Sequence, residues 1–147
     1  MPYRKIRLLQ IIPSLDIGGA QRFLVDLSKN FNKEKFEIAV CVLGKKTNSF
    51  LEAELRKNHI PLFFLNLRWT FHPLTIFRLT NLLKSFNPDI IHTHLRAIRY
   101  VLVPSRLVRI PVHIHTIHSV AKHDTSFFFR GLNRIAFKYL NVIRVTI

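Results

Sequence analysis

Apolar residues in this chain come in two alternating patterns, short continuous runs and longer stretches spaced by three and four, and the alternation lasts from Ile6 to Ile147. The run Ile6-Arg7-Leu8-Leu9-Gln10-Ile11-Ile12 is too short for a helix and too apolar for a strand with one wet face. It predicts a central parallel strand covered on both sides. From Ala20 the apolar residues Ala20, Phe23, Leu24, Leu27 and Phe31 mark one face of a helix. Between strand and helix lies a short loop ending in Gly18 and Gly19. Glycines there permit positive φ and close approach to the backbone, and the first N–H groups of the helix would face an anion. A tight βα turn accounts for the pair equally well, because a lone glycine pair is a weak phosphate signal.

The same rhythm continues. Phe36 to Leu43 predicts a second strand, and Ser49 with Glu52 three residues on predicts a capping box opening a short helix that turns Leu51 and Leu55 inward. Pro61 to Leu65 predicts a third strand. A helix from Pro73 to about Phe86 is expected to bury Ile76, Leu79, Leu82, Leu83 and Phe86 before Asn87-Pro88-Asp89 breaks it. Ile90 to His94 predicts a fourth strand, and Ala97 to Leu107 a helix that Pro104 should kink or shorten. Val112 to Ile117 predicts a fifth strand. A loop with His118, Lys122, His123 and Asp124 follows, then a helix from Arg130 to Leu140 and a sixth strand from Val142. Strands alternating with helices imply right-handed βαβ crossovers, an α/β fold and a doubly wound parallel sheet with ligands at the carboxyl ends of the strands.

Composition narrows the partners. The 147 residues amount to one domain, and 23 Lys and Arg against 8 Asp and Glu leave a formal charge of +15, which favours phosphate-bearing partners. After Glu54 the acids are Asp89 and Asp124 alone. The single cysteine, Cys41, sits in an apolar run and reads as core in a reducing cytoplasm. The basic start leads into a strand-length run and Pro13 without a small-residue cleavage site, so no signal peptide is expected. No stretch approaches the roughly 20 apolar residues of a membrane span, so any membrane contact is expected to be peripheral, on the inner face of the cytoplasmic membrane.

Three segments lie on the predicted rim. Ile11-Ile12-Pro13-Ser14-Leu15-Asp16-Ile17-Gly18-Gly19-Ala20-Gln21-Arg22, Pro88-Asp89-Ile90-Ile91-His92-Thr93-His94 and Ile110-Pro111-Val112-His113-Ile114-His115-Thr116-Ile117-His118-Ser119 together resemble the N-terminal, Rossmann-like domain of GT-B retaining glycosyltransferases of the family 4 type. The resemblance covers the whole chain. It implies an enzyme that moves a sugar from a nucleotide-sugar donor, a co-substrate rather than a cofactor, to a glycan or lipid-linked acceptor with retention at the anomeric carbon. By the same resemblance the backbone of Gly18 and Gly19 approaches the donor diphosphate, and His118 matches the histidine that faces the donor sugar. Asp16 lies where acceptor and leaving group meet, and His94, Arg96, Ser119 and Lys122 belong to the acceptor or donor rim. The family's second domain, with most of the nucleotide site, has no counterpart in these residues. The chain is therefore expected to be part of a larger enzyme, or to find its other half on another polypeptide, and to be inactive alone.

His92 and His94 share one face of their strand and His113 and His115 one face of theirs, a spacing that would suit zinc, yet no Cys or Glu completes a tetrahedral set, so no metal is expected. Arg96, Arg99, Arg106 and Arg109 project to one side of a helix at ~100° per residue. With Trp69 and Phe127-Phe128-Phe129 they suit an anionic lipid surface. A basic α/β binding module for anionic lipid or nucleic acid is the alternative to an enzyme. Nucleic acid would require aromatics interleaved with the basic residues or a reading helix, and neither is present.

Overall fold

The apolar run at the start of the chain is the strand around which the sheet is laid, in a computed structural model that describes residues 4–67, 73–117, 131, 134, 137, 138 and 140–147. The order is β1 (Ile6–Ile12), α1 (Gly19–Asn30), β2 (Phe36–Val42), α2 (Phe50–Lys57), β3 (Leu62–Phe64), α3 (Pro73–Phe86), β4 (Ile90–His94), α4 (Ile98–Val108), β5 (Val112–Ile117) and β6 (Val142–Thr146). A 3-10 turn, Leu95–Ala97, leads into α4. The strands form one parallel sheet in the order β3-β2-β1-β4-β5-β6. The chain thus winds outward from β1 to β3, returns, and winds outward again from β4.

Register assigns the layers. Gln10 pairs with Val40 on one side and His92 on the other, so Leu8, Gln10, Ile12, Val40, Val42 and His92 share a face. Helices α1 and α2 cover that face around Ile12, Val40 and Val42, packing Leu24, Val25, Leu51 and Leu55 against them. The opposite face presents Leu9, Ile11, Cys41 and Ile91 to Leu79, Leu82, Leu83 and Phe86 of α3 and to Ala97 and Val101 at α4. Both faces of β1 are therefore dry, as its composition required. Cys41 is fully buried and free, and burial pushes its thiol far up from the usual range. The amino ends of β1 and β4 are pinned by Asp89, which accepts from Arg7 N at 2.8 Å and from the Arg4 guanidinium.

Three local expectations change. On α3 the buried row is Thr75, Leu79, Leu82, Leu83 and Phe86, and Ile76 lies about 100° away on the exposed side. Helix α4 runs through Pro104 to Val108 instead of ending there. Pro104 is buried between Val101, Leu102 and Ser105, and Ser105 Oγ donates to Leu102 O (2.9 Å) within the turn that proline weakens. Neither Gly18 nor Gly19 has positive φ, and Gly18 is extended at φ 179. The pair is not there to permit left-handed backbone. Gly131, Arg134, Phe137 and Lys138 are helical. The expected loops at Trp69, at His118 to Asp124 and at Phe127 to Phe129 lie outside the described residues.

Candidate functional site

The winding reverses between β1 and β4, where α1 leaves to one face and α4 to the other, and such a switch point opens a crevice at the carboxyl ends of the strands. The β1 side of this crevice is the loop from Pro13 to Gly18, and it is held firmly. Leu43 N donates to Ile12 O and Gly44 N to Pro13 O, both at 2.9 Å. A side chain at Gly44 would sit 3.0 Å from Pro13 O, so glycine permits this close approach.

The predicted capping box supplies a second strap. Ser49 Oγ accepts from Glu52 N (3.2 Å) and donates to Leu15 O (2.7 Å), reaching from the start of α2 back to the β1 loop. Glu52 is 1% exposed, and its carboxylate accepts from Thr47 N (2.8 Å), Thr47 Oγ1 (2.9 Å) and Asn48 N (3.1 Å). Three donors converging on one buried carboxylate rigidify the loop that holds it. Leu15 is anchored inward while Asp16 stands exposed, and Ile17 is 97% exposed.

Helix α1 then begins without a side-chain cap and without an acid in its first turn. Its free N–H groups and positive dipole end face outward. A Cβ on Gly19 would meet nothing within 4 Å, and one on Gly18 would meet only the mobile end of Gln21. Packing does not demand glycine at either position. At Gly19 glycine leaves the backbone in front of the helix open, and at Gly18 it leaves room for the end of the Gln21 side chain. Arg22, which could have reached this space, is drawn away by Asp26 (2.6 and 2.9 Å) and Glu54 (2.7 Å).

On the β4 side the chain turns sharply. Leu95 adopts φ 52, a left-handed conformation costing a residue with a bulky side chain about 1–2 kcal/mol. The other positive-φ residues among those described are mostly asparagines, which tolerate it. The strained turn sits at the crevice and carries Arg96, exposed in the 3-10 turn.

Beneath the rim is a layer of buried polar groups. His94, fully buried at the end of β4, donates from Nε2 to Gln10 Oε1 at 2.8 Å, joining β4 to β1 below the crevice. Its ring lies 6.2 Å from Phe23 of α1 and 4.2 Å from His92, whose Nε2 is 2.7 Å from Thr116 Oγ1. On the opposite face Thr93 Oγ1 lies 3.0 Å from both His113 Nε2 and His115 Nδ1. The register explains the division: Ile91 pairs with His113 and Thr93 with His115, so the two histidine pairs point to opposite sides of the sheet and do not share one ligand sphere. Burial pushes the His113 imidazole down to about 3, and the positive charge of His115, Arg106 and His92 acts in the same direction.

The described part of the site therefore brings together Asp16, Gly18, Gly19 and Arg96 at the rim and His94 beneath them. His118, Ser119 and Lys122 lie outside the described residues; they follow β5, the neighbour of β4. Gln10 and Leu95 escaped the sequence reading. A lone amide in an apolar strand is a signal that could have found Gln10, whereas no signal marked Leu95.

A parallel sheet wound twice from its centre, with an uncapped glycine-led helix at the switch point, is the Rossmann-like architecture of the N-terminal domain of GT-B glycosyltransferases. Residues 17–146 match Glycosyltransferase Family 4, and the chain belongs to that family. A "UDP-Gal:alpha-D-GlcNAc-diphosphoundecaprenol alpha-1,3-galactosyltransferase" of Escherichia coli is 26% identical over 94% of this chain, and the "Capsular polysaccharide biosynthesis glycosyltransferase CapH" of Staphylococcus aureus is 31% identical over 61%. The chain spans only 35% and 24% of their respective lengths. Among solved structures, a glycosyltransferase from Rickettsia africae superposes with a TM-score of 0.65 at 20% identity, covering 99% of this chain and 43% of that one. Acinetobacter baumannii MurG gives 0.62 at 12%, covering 88% and 39%, and both share the fold.

Proposed function

We propose that these residues form the acceptor-side half of an enzyme that transfers a sugar from a nucleotide-sugar donor to a lipid-linked glycan in the cytoplasm, with retention at the anomeric carbon. The observation that carries this reading is the N-terminus of α1, without a side-chain cap from Gly18, left open at Gly19 and set at the β1–β4 switch point. Free N–H groups and a helix dipole there suit a diphosphate. The membership in a family of glycosyltransferases and the lipid-diphosphate acceptor named for the Escherichia coli relative support the substrate classes.

In this reading the Gly18 and Gly19 amides hold a donor phosphate, Asp16 meets the acceptor, and His118 hydrogen-bonds the donor sugar with Ser119, Lys122 and Arg96 around it. His94 and Gln10 keep the β1 and β4 edges of the crevice in register. With retention, the new glycosidic bond forms on the face the diphosphate leaves, and the acceptor hydroxyl's proton passes to the departing phosphate oxygen. His118 is then a hydrogen-bond donor and no general base. The reaction uses no cofactor.

The placement of the diphosphate is tested on the chain as it stands. Titration of isotope-labelled protein with UDP and with UDP-galactose should move the amide resonances of Gly18, Gly19 and Ala20 first, with weak affinity, and Gly19→Val should abolish those shifts. Resonance changes confined to other loops, with the α1 amides still, would sink the assignment.

A further inference from the structure

The charge of the molecule is separated by the sheet. Every acid in the chain except Asp89 and Asp124 precedes residue 55; on α1 and α2 Asp26 is interlocked with Arg22 and Glu54 with Arg22 and Lys29, while Glu52 is buried and satisfied by Thr47 and Asn48. The helices of the opposite layer, α3 and α4, contain no acid at all. Of their cations, Arg78, Lys84 and Arg106, with Arg109 at the end of α4, take part in none of the ion pairs found among the described residues. Arg78 donates to Leu65 O (2.9 Å) and Arg106 to Leu140 O, neutral carbonyl oxygens that leave the charge uncompensated.

Apolar side chains stand out from the same surface. Phe77 and Leu107 are each 62% exposed and Val103 52%, and Leu74 is exposed beside Phe77 on the first turn of α3. On α3 the outward row is Leu74, Phe77, Arg78, Asn81 and Lys84; on α4 it contains Val103, Arg106 and Leu107. The two helices pack side by side over one core and run in the same direction, so these rows form one continuous face. In the other layer α1 exposes no large hydrophobic side chain and α2 exposes Phe50 alone, at its first residue. Aliphatic and aromatic groups interleaved with long cations, without acids, meet the requirements of the boundary between lipid headgroups and acyl chains, where the cations extend toward phosphate while the apolar groups sink.

We propose that the outer face of α3 and α4 docks on an anionic phospholipid bilayer, with both helix axes along the membrane plane and α1 and α2 turned away from it. No helix among the described residues is long and apolar enough to cross a membrane, so this is attachment from one side. The proposal stands on the composition of this face and not on the transfer reaction, so either can fail without the other.

The test is sedimentation of the 147-residue chain with vesicles of an equal mixture of phosphatidylglycerol and phosphatidylcholine, against phosphatidylcholine alone, at low and high salt. Binding is expected to the mixture only and to weaken with salt. Lys84→Glu with Arg106→Glu should lower partitioning at least ~10-fold. Phe77→Ser with Leu107→Ser should lower it several-fold, as expected when apolar groups insert. The charge-matched control Lys33→Glu with Lys57→Glu, on the other layer, should change it less than ~2-fold. Circular dichroism of each variant checks that the fold survives. Equal losses from control and α4 variants, indifference to Phe77 and Leu107, tighter retention by RNA or duplex DNA than by the mixed vesicles, or self-association that buries this face would each overturn the proposal.

Discussion

His113 is an imidazole held neutral by burial, 8% exposed with its Nε2 3.0 Å from Thr93 Oγ1, and the charges of His115, Arg106 and His92 act in the same direction. Below about pH 6.5 the unfolded chain takes up a proton at this position that the folded chain refuses until about pH 3. The unfolded state therefore binds more protons throughout that window. Stability is complete above it and falls as the pH drops, by up to about 1.4 kcal/mol per unit. The carboxylates Asp26, Glu54 and Asp89 are held below their usual range by hydrogen bonds, and their contribution is lost as the pH falls through the ordinary carboxylate range, in the lower half of the same window. Urea unfolding between pH 6.5 and 4.5 reads this slope, and His113→Gln, which keeps a partner for Thr93, should flatten it relative to the unsubstituted chain by about 1 kcal/mol per pH unit. An unchanged slope would mean that the ring is hydrated and not desolvated. At this scale much of the site was legible as residue types and little as geometry. Period-2 alternation pairs His92 with His94 and His113 with His115, but which pairs share a side depends on the offset between β4 and β5, and that is set by tertiary packing. The glycines were legible as an open backbone and not as extended, because their φ is decided by the loop they close.

Helices and strands could be read from the chain wherever one face dominates, and were misread where two rows compete. On α3 the row through Thr75 wins over the row through Ile76, since only the former is in phase with Leu79, Leu82 and Phe86. The capping box at Ser49 and Glu52 was legible, yet its reach was not: Ser49 bonds Leu15 O, 34 residues back. That contact makes the start of α2 a structural support for the crevice. Ser49→Ala should cost about 1 kcal/mol as a lost cap, and Glu52→Ala about 2–3 kcal/mol because it abandons three donors around a buried site. Hydrogen exchange would show the distinction. In both variants protection should fall at residues 13–18 as well as at α2; loss confined to α2 would mean that the strap carries no strength.

At the scale of the molecule, the α/β class and the parallel sheet followed from alternation alone, while the separation of charge between the two layers required the helices to be assigned to faces. The β1–β4 crevice is bounded by one half of a GT-B architecture, and positioning a leaving diphosphate demands fixed groups from both sides of a cleft. We therefore expect no sugar transfer by the 147-residue chain alone. Radiolabelled nucleotide-sugars with lipid-diphosphate acceptors of the proposed class are the assay, and steady product formation by this chain would show that the α1 terminus and its neighbours suffice. When the other half of a family member is supplied, His118→Ala should lower turnover by about 10²-fold with little change in the acceptor KM, and His123→Ala should not.

The hydrogen bond between Gln10 and His94 joins residues 84 positions apart. During synthesis at roughly 5–20 residues per second, β1 leaves the ribosome about 4–17 seconds before its second neighbour exists. The early β1–β2 pair then carries an unpaired, apolar strand edge that only β4 can close. A chaperone that binds bare strand edges would find this nascent chain a good client for that interval. Pausing translation just before β4 should lengthen the interval and raise the fraction of chains that aggregate, even though not one residue of the finished protein has changed.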